Sequence, residues 1–168
     1  METDDSLRSD HDGFARLLAG KSAPESAAST AVILISGGFD PIHSGHVALI
    51  RGAAMLGSVW VALNSDEWLF RKKGYFVMPW EERAVVVGNQ RGVVRVVTVD
   101  DSDGTVAKAI LEVKPSIFAN GGDRISANEK EDEACRRVGA KQVFDIGGTR
   151  KMNSSSKIIE TLWKRLHK

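Results

Sequence analysis

Five short apolar runs, each followed by a stretch of helical spacing, leave this chain very few folds to choose from. The runs fall at 31–35, 58–63, 94–99, 116–119 and 141–146, all of strand length and rich in valine and isoleucine. The first, Ala31-Val-Ile-Leu-Ile35, is continuously apolar rather than alternating, which marks a strand buried on both faces. Helical spacing occupies about 44–57, 79–91, 104–114, 126–139 and 154–167. In the last of these, Ile158, Ile159, Leu162, Trp163 and Leu166 share one helical face. Pro79, with Glu81 and Glu82 after it, reads as a helix start. Parallel neighbours must be joined by crossovers, so the alternation predicts an α/β fold: a doubly wound, five-stranded parallel sheet with helices on both faces. Ligands of such sheets bind beyond the carboxyl ends of the strands, where strand order reverses. Chemistry-bearing residues should therefore follow the strands.

A chain of 168 residues supplies one such domain. Residues 1–30, rich in Ser, Ala, Asp and Gly, are expected to be a weakly ordered extension with a short amphipathic patch at Phe14, Leu17 and Leu18; the domain is expected over 31–168. With 23 basic against 22 acidic residues, nothing in the charge balance supports a nucleic-acid partner. No apolar run reaches the roughly 18 residues of a membrane span, and the acidic start Met1-Glu-Thr-Asp-Asp5 lacks a secretory core. A cytoplasmic protein with no membrane partner is the expectation. The single cysteine, Cys135, excludes an intramolecular disulfide and reads as a structural thiol.

The residues after the first run are Ser36-Gly-Gly-Phe-Asp-Pro-Ile-His-Ser-Gly-His46. Gly37 and Gly38 let the chain turn tightly and bring backbone N–H groups close to an anion, and the helix that follows offers unpaired N–H groups and a favourable dipole. His43 and His46 lie three apart at that helix entrance, so both rings can face one pocket; Gly45 between them leaves room for a nucleotide to lie against the backbone. A histidine pair at a helix start also serves as a local cap. After the last strand, Ser154-Ser-Ser156 opens the final helix and sets three hydroxyls at its N-terminus. Alone, this run reads as an N-cap. Paired with the first motif, it reads as a cradle for phosphates. After the fourth run, Asn120-Gly121-Gly122-Asp123 lets backbone amides approach a base or ribose, or forms an ordinary turn. After the second run come Asn64-Ser-Asp66 and the basic cluster Arg71-Lys72-Lys73-Gly74, read as a loop. Lys72 and Lys73 suit a leaving pyrophosphate, although such clusters are more often solvated. Trp68 and Trp80 flank that loop and are candidates for lining an acceptor pocket.

Gly38-Phe39-Asp40-Pro-x-His-x-Gly-His46 resembles the signature of the cytidylyltransferase-like nucleotidyltransferases. The resemblance covers roughly 31–160 and implies a Rossmann-like sheet of order 3-2-1-4-5, with the first and fourth strands flanking the reversal point. It implies that His43 and His46 stabilise charge on the α-phosphate as it is attacked, with Lys73 a catalytic candidate on the leaving pyrophosphate, and that Gly38, Phe39, Asp40, Gly45, Asn120–Asp123 and Ser154–Ser156 hold the nucleotide. Met78-Pro-x-x-x-Arg83 is similar to the family's Pro-x-x-x-Arg helix start, which places Arg83 toward substrate or phosphate. Arg150, one residue out of register with an Arg-Thr pair seen in some members, is a further phosphate candidate. The implied reaction is in-line transfer of a nucleoside monophosphate from CTP or ATP to a small phosphorylated acceptor. Mg²⁺ bridges the phosphates with no dedicated protein ligands, and pyrophosphate leaves. Asn-Ser-Asp, Gly-Gly-Asp and Ser-Ser-Ser together look most like the branches acting on sugar or polyol phosphates. Coenzyme-precursor adenylyltransferases and a non-catalytic nucleotide sensor are the alternatives, and a homodimer is compatible with the resemblance. A dinucleotide-binding dehydrogenase fails, because Gly37-Gly38-Phe39-Asp40-Pro41 does not supply Gly-x-Gly-x-x-Gly.

Overall fold

The structure, a computed structural model, describes residues 31–121, 128–148 and 153–167; the expected extension over 1–30 lies outside them. The described strands are β1 (Val32–Gly37), β2 (Ser58–Leu63), β3 (Val93–Thr98), β4 (Ile117–Gly121) and β5 (Lys141–Ile146). They form one parallel sheet in the order β3-β2-β1-β4-β5. The helices are α1 (Ser44–Ala54), α2 (Asp66–Lys73), α3 (Trp80–Gly88), α4 (Ala107–Val113), α5 (Glu129–Val138) and α6 (Ser155–Leu166).

Alternate residues of a strand face opposite sides of the sheet, and the central strands bury both sides. Ile33, Ile35, Val59, Val61 and Leu63 pack with Leu49, Ile50 and Ala53 of α1 and with Ala84 and Val87 of α3. Leu34, Ala62 and Phe118 point the other way, onto Ala109 and Ile110 of α4 and Ala134 and Cys135 of α5. The continuous apolar run in β1 is thus explained by two cores, one on each face. Burial pushes the Cys135 thiol up to about 11, so it stays protonated and serves the packing.

One helix was not expected. The basic cluster read as a loop is the last turn of α2, which corrects that reading. Ser65 caps the helix by accepting the Trp68 N–H at 3.0 Å. Asp66 and Glu67 stand in its first turn and Arg71, Lys72 and Lys73 in its last, which complements the helix dipole at both ends. Gly74, at φ 80°, closes it in the left-handed conformation. Only Leu69 of its eight residues is buried, so an apolar period could not reveal it.

Between β5 and α6 the chain passes so close to α1 that no side chain fits at Gly147. A Cβ there would stand 2.6 Å from the Ala48 carbonyl carbon and 2.7 Å from the Leu49 nitrogen, and φ is +86°. Both neighbours are helix backbone and cannot yield. Gly147→Ala is expected to destabilise the domain by about 2–4 kcal/mol through combined clash and strain. Urea unfolding measures this, and a change below about 0.5 kcal/mol would show that the chain passes α1 elsewhere.

Candidate active site

A cleft of about 570 Å³ opens at the carboxyl ends of the strands, over the reversal point between β1 and β4. Its wall draws on the turn after β1 (Gly38, Phe39), on His46 of α1, and on Asn120 and Gly121 at the end of β4. The start of α6 adds Ser154, Ser155 and Ser156, and α2 adds Trp68, Lys72 and Lys73.

The first turn of α1 fixes both imidazoles through the backbone. His43 is the N-cap, and its Nδ1 accepts the Gly45 N–H at 3.1 Å. His46 answers at position N3, its Nδ1 accepting the His43 N–H at 3.3 Å, to complete a capping box. A nitrogen that accepts an N–H carries no proton itself, so each neutral ring bears its proton on Nε2. The rings stack with centroids 3.8 Å apart at 23°. Phe39 presses against His46 from another side at 4.6 Å; it is held at φ 49°, a conformation side chains rarely take, and its ring is buried. Gly45 packs under the His43 ring: a Cβ there would lie 3.0 Å from its Cε1.

The mouths of α1 and α6 meet. Ser155 Oγ donates to the Pro41 carbonyl at 3.0 Å across 114 residues of sequence, and Ser154 caps α6 by accepting the Lys157 N–H at 3.2 Å. His46 and the three hydroxyls therefore share one cleft, with two helix N-termini nearby. Fixed hydroxyls, Nε2–H groups and backbone N–H groups suit a polyphosphate.

Two expected ligand residues turn inward. Arg83 is fully buried and donates to the carbonyls of Gly38 (2.8 Å), Asn64 (3.0 Å) and Met78 (3.0 Å) and to the Asp66 carboxylate. It corrects the substrate-facing expectation: β1 and β2 end here with unpaired carbonyls, and one planar guanidinium satisfies several of them. Asp40 is also fully buried, its carboxylate accepting the Val77 and Met78 N–H groups at 2.8 and 2.9 Å. It ties the turn after β1 to the segment before α3 and does not line the cleft, so its nucleotide role is corrected as well. Gly122, Asp123 and Arg150 lie outside the described residues.

Lys72 and Lys73 reach the cleft from the end of α2. Lys72 Nζ sits 4.3 Å over the Trp68 ring, and Lys73 Nζ donates to the Asp40 carbonyl at 3.0 Å. Burial lowers the Lys73 pKa from the usual lysine range; Asp40 opposes the shift, and Lys72 and Arg83 add to it. Between the lowered folded value and the unfolded one, the folded chain binds fewer protons, so this group lets stability rise with pH while the ammonium is lost. The alkaline fall in turnover should accordingly begin below the range of a free lysine. Lys73→Arg, charged throughout, is expected to move that limb to higher pH. Superimposable pH–rate profiles would remove Lys73 from the reaction.

Sequence reasoning passed over the loop after β3. Asp101 is buried there and accepts the Ser65 N–H (2.9 Å), Ser65 Oγ–H (2.7 Å) and Asn64 Nδ2–H (3.0 Å), locking the Asn-Ser-Asp segment in place. Gly104 and Val106 of the same loop line the cleft, as does Glu131 of α5. Asp100-Asp-Ser-Asp-Gly104 follows a strand, and the rule that parallel sheets bind ligands beyond strand ends pointed to it.

Residues 34–161 match the family model described as cytidylyltransferase-like. The chain is 31% identical over 133 residues to an FAD synthase of Archaeoglobus profundus, covering 77% of this chain and 84% of that protein. It is 38% identical over 120 residues to the bifunctional protein HldE of Gluconobacter oxydans, covering 70% of this chain and 23% of that one. The chain thus spans about a quarter of the length of the HldE proteins it matches. A lipopolysaccharide core biosynthesis protein of Thermoplasma volcanium superimposes with a TM-score of 0.59 at 21% identity, over 68% of this chain and 94% of that one, a likeness of fold.

Proposed function

Because the chain belongs to the cytidylyltransferase-like family, we propose that it transfers a nucleoside monophosphate from CTP or ATP to a small phosphorylated acceptor, a sugar or polyol phosphate, in the cytoplasm, releasing pyrophosphate. The observation that carries this reading is the meeting of the α1 and α6 mouths around one cleft. A triphosphate bound there lies between His46 and the hydroxyls of Ser154–Ser156. The Nε2–H groups of His46 and His43 donate to the α-phosphate as negative charge builds on it, and the backbone bonds at Nδ1 hold them so without reorganisation. Lys73 neutralises the departing pyrophosphate. Catalysis is positioning and charge stabilisation, with no covalent step on the protein.

Magnesium, when bound, neutralises charge across the phosphate oxygens. Among the described residues no group of three or more His, Cys, Asp or Glu is set to hold a metal. On this reading the ion is carried largely on the nucleotide and its waters. Among the described residues no helix is long and apolar enough to cross a membrane.

The experiment is a pyrophosphate-release screen crossing CTP and ATP with sugar, polyol and coenzyme-precursor phosphates in Mg²⁺. Release that depends on a sugar or polyol phosphate supports the reading. Release only with a coenzyme precursor replaces the acceptor class. Binding of nucleotide without release in any well makes the chain a nucleotide sensor.

A further inference from the structure

The helix whose start faces the cleft with three hydroxyls is itself almost uncovered. Of the twelve residues of α6 only Ser155 is buried, and from Glu160 to His167 every residue is exposed. Leu162, Trp163 and Leu166 stand 51%, 62% and 70% exposed, on the face they share with Ile158 and Ile159. Two helical turns by themselves are marginal in water, because most helical stability comes from packing an apolar face. An exposed apolar cluster of this kind marks a contact surface. The charges of α6 set the sign of what it contacts: Lys157, Lys164 and Arg165 stand against one acid, Glu160. Glu160 pairs with Lys164, and among the described residues Lys157 and Arg165 have no ion-pair partner. Arg165, three residues after Leu162, borders the apolar face.

We infer that the amino-terminal segment, through Phe14, Leu17 and Leu18, covers this face of α6 and so steadies the serines at the start of the helix. Charge, apolar content and reach select this occupant. Residues 1–12 hold five acids (Glu2, Asp4, Asp5, Asp10 and Asp12) and one base, Arg8, the opposite of the balance on α6. The three apolar residues come next, and Ala19–Thr30 after them has no large apolar side chain. That stretch spans up to about 40 Å when extended, whereas a domain of this size has a radius of gyration of about 14 Å. The segment joins the domain at Ala31, whose carbonyl accepts the Ser58 N–H at 3.0 Å, so every face lies within its reach. Attachment to the same chain keeps its local concentration in the millimolar range, and a modest contact then suffices. A second copy offers no such match, since it brings the same excess of base to the same face. The cover bears on the cleft through the helix: Ser155 Oγ bonds the Pro41 carbonyl and Ser154 caps the first turn, so a helix packed along its length holds these hydroxyls in place. Only this link to the cleft rests on the transferase reading.

The test follows amide hydrogen exchange over Ile159–Leu166 in the full chain and in a triple variant, Phe14→Ser with Leu17→Ser and Leu18→Ser, at a high and a low protein concentration. Wild type is expected to protect these amides at both concentrations. In the variant they exchange about 10- to 100-fold faster, with β1 and β2 unchanged. Arg165→Glu weakens the protection as well, and added salt weakens it in wild type. Affinity for α,β-methylene CTP, or for the ATP analogue, falls about 5-fold or more in the triple variant. Equal exchange in wild type and variant overturns the proposal. Protection that survives in the variant and disappears on dilution overturns it too, and gives the face to a second copy. Lost protection beside an unchanged nucleotide affinity overturns the link to the cleft. If wild type binds neither analogue, the transferase reading fails separately, while the exchange result still decides the docking.

Discussion

Replacing His46 with alanine is expected to slow pyrophosphate release by about 10³-fold while leaving the domain folded. Loss of one preorganised donor at a developing oxyanion costs about 10²–10³ in other enzymes, and His46 also fixes its neighbour. Its Nδ1 accepts the His43 N–H, and its ring is one half of the imidazole stack, so removing it loosens His43 as well. The structural cost is modest. The ring is only partly buried, and His43 keeps its own cap to Gly45, so the loss is on the order of 1 kcal/mol, as for a helix cap. Single-turnover release read beside thermal melting separates the two effects. A variant that turns over at a near-normal rate removes His46 from the chemistry, and one that fails to fold assigns the capping box a larger structural share.

Arg83→Ala should do the reverse, removing stability by about 3–5 kcal/mol, the usual range for stripping one partner from a buried ion pair. Out of a typical total of about 5–15 kcal/mol, that brings the domain near its unfolding threshold. The substitution leaves the Asp66 carboxylate without its cation and the carbonyls of Gly38, Asn64 and Met78 without their donor. Melting should fall on the order of 10 °C. Arg83→Lys should recover little, because an ammonium on a flexible stem cannot reproduce the planar fork that spans these acceptors. The result separates two roles cleanly. A variant as stable as wild type yet inactive would mean that the guanidinium acts on phosphate after all.

The local chemistry of the site was legible because its bonds are short in sequence. The capping interactions of His43 and His46 span two and three residues, and the Ser154 cap spans three. Glycines, histidines and serines at those spacings announce a turn and a helix entrance wherever they occur. α2 escaped notice for a different reason. Its signals are a cap, a charge gradient and a terminal glycine, with one buried apolar residue to carry a period. Arg83 was misread because its Pro-x-x-x-Arg context says that an arginine stands at a helix start and says nothing of which way it points.

The sequence by itself determined the strand–helix alternation, the buried character of the central strands and the two capped helix starts, since each depends on neighbours a few residues away. The family's motif, read there as a resemblance, carried the strand order. Only the tertiary structure decided what meets across the cleft. Ser155 reaches Pro41 over 114 residues, Arg83 reaches Gly38 over 45, and Asp101 reaches Ser65 over 36. Such contacts exist because the sheet order brings strand ends and helix starts that are remote in sequence to one edge, and no local spacing encodes that meeting. Glu131 belongs to the same class: a glutamate in an acidic first helical turn looks like dipole complement until the packing of α5 against the loop after β3 turns it into the cleft.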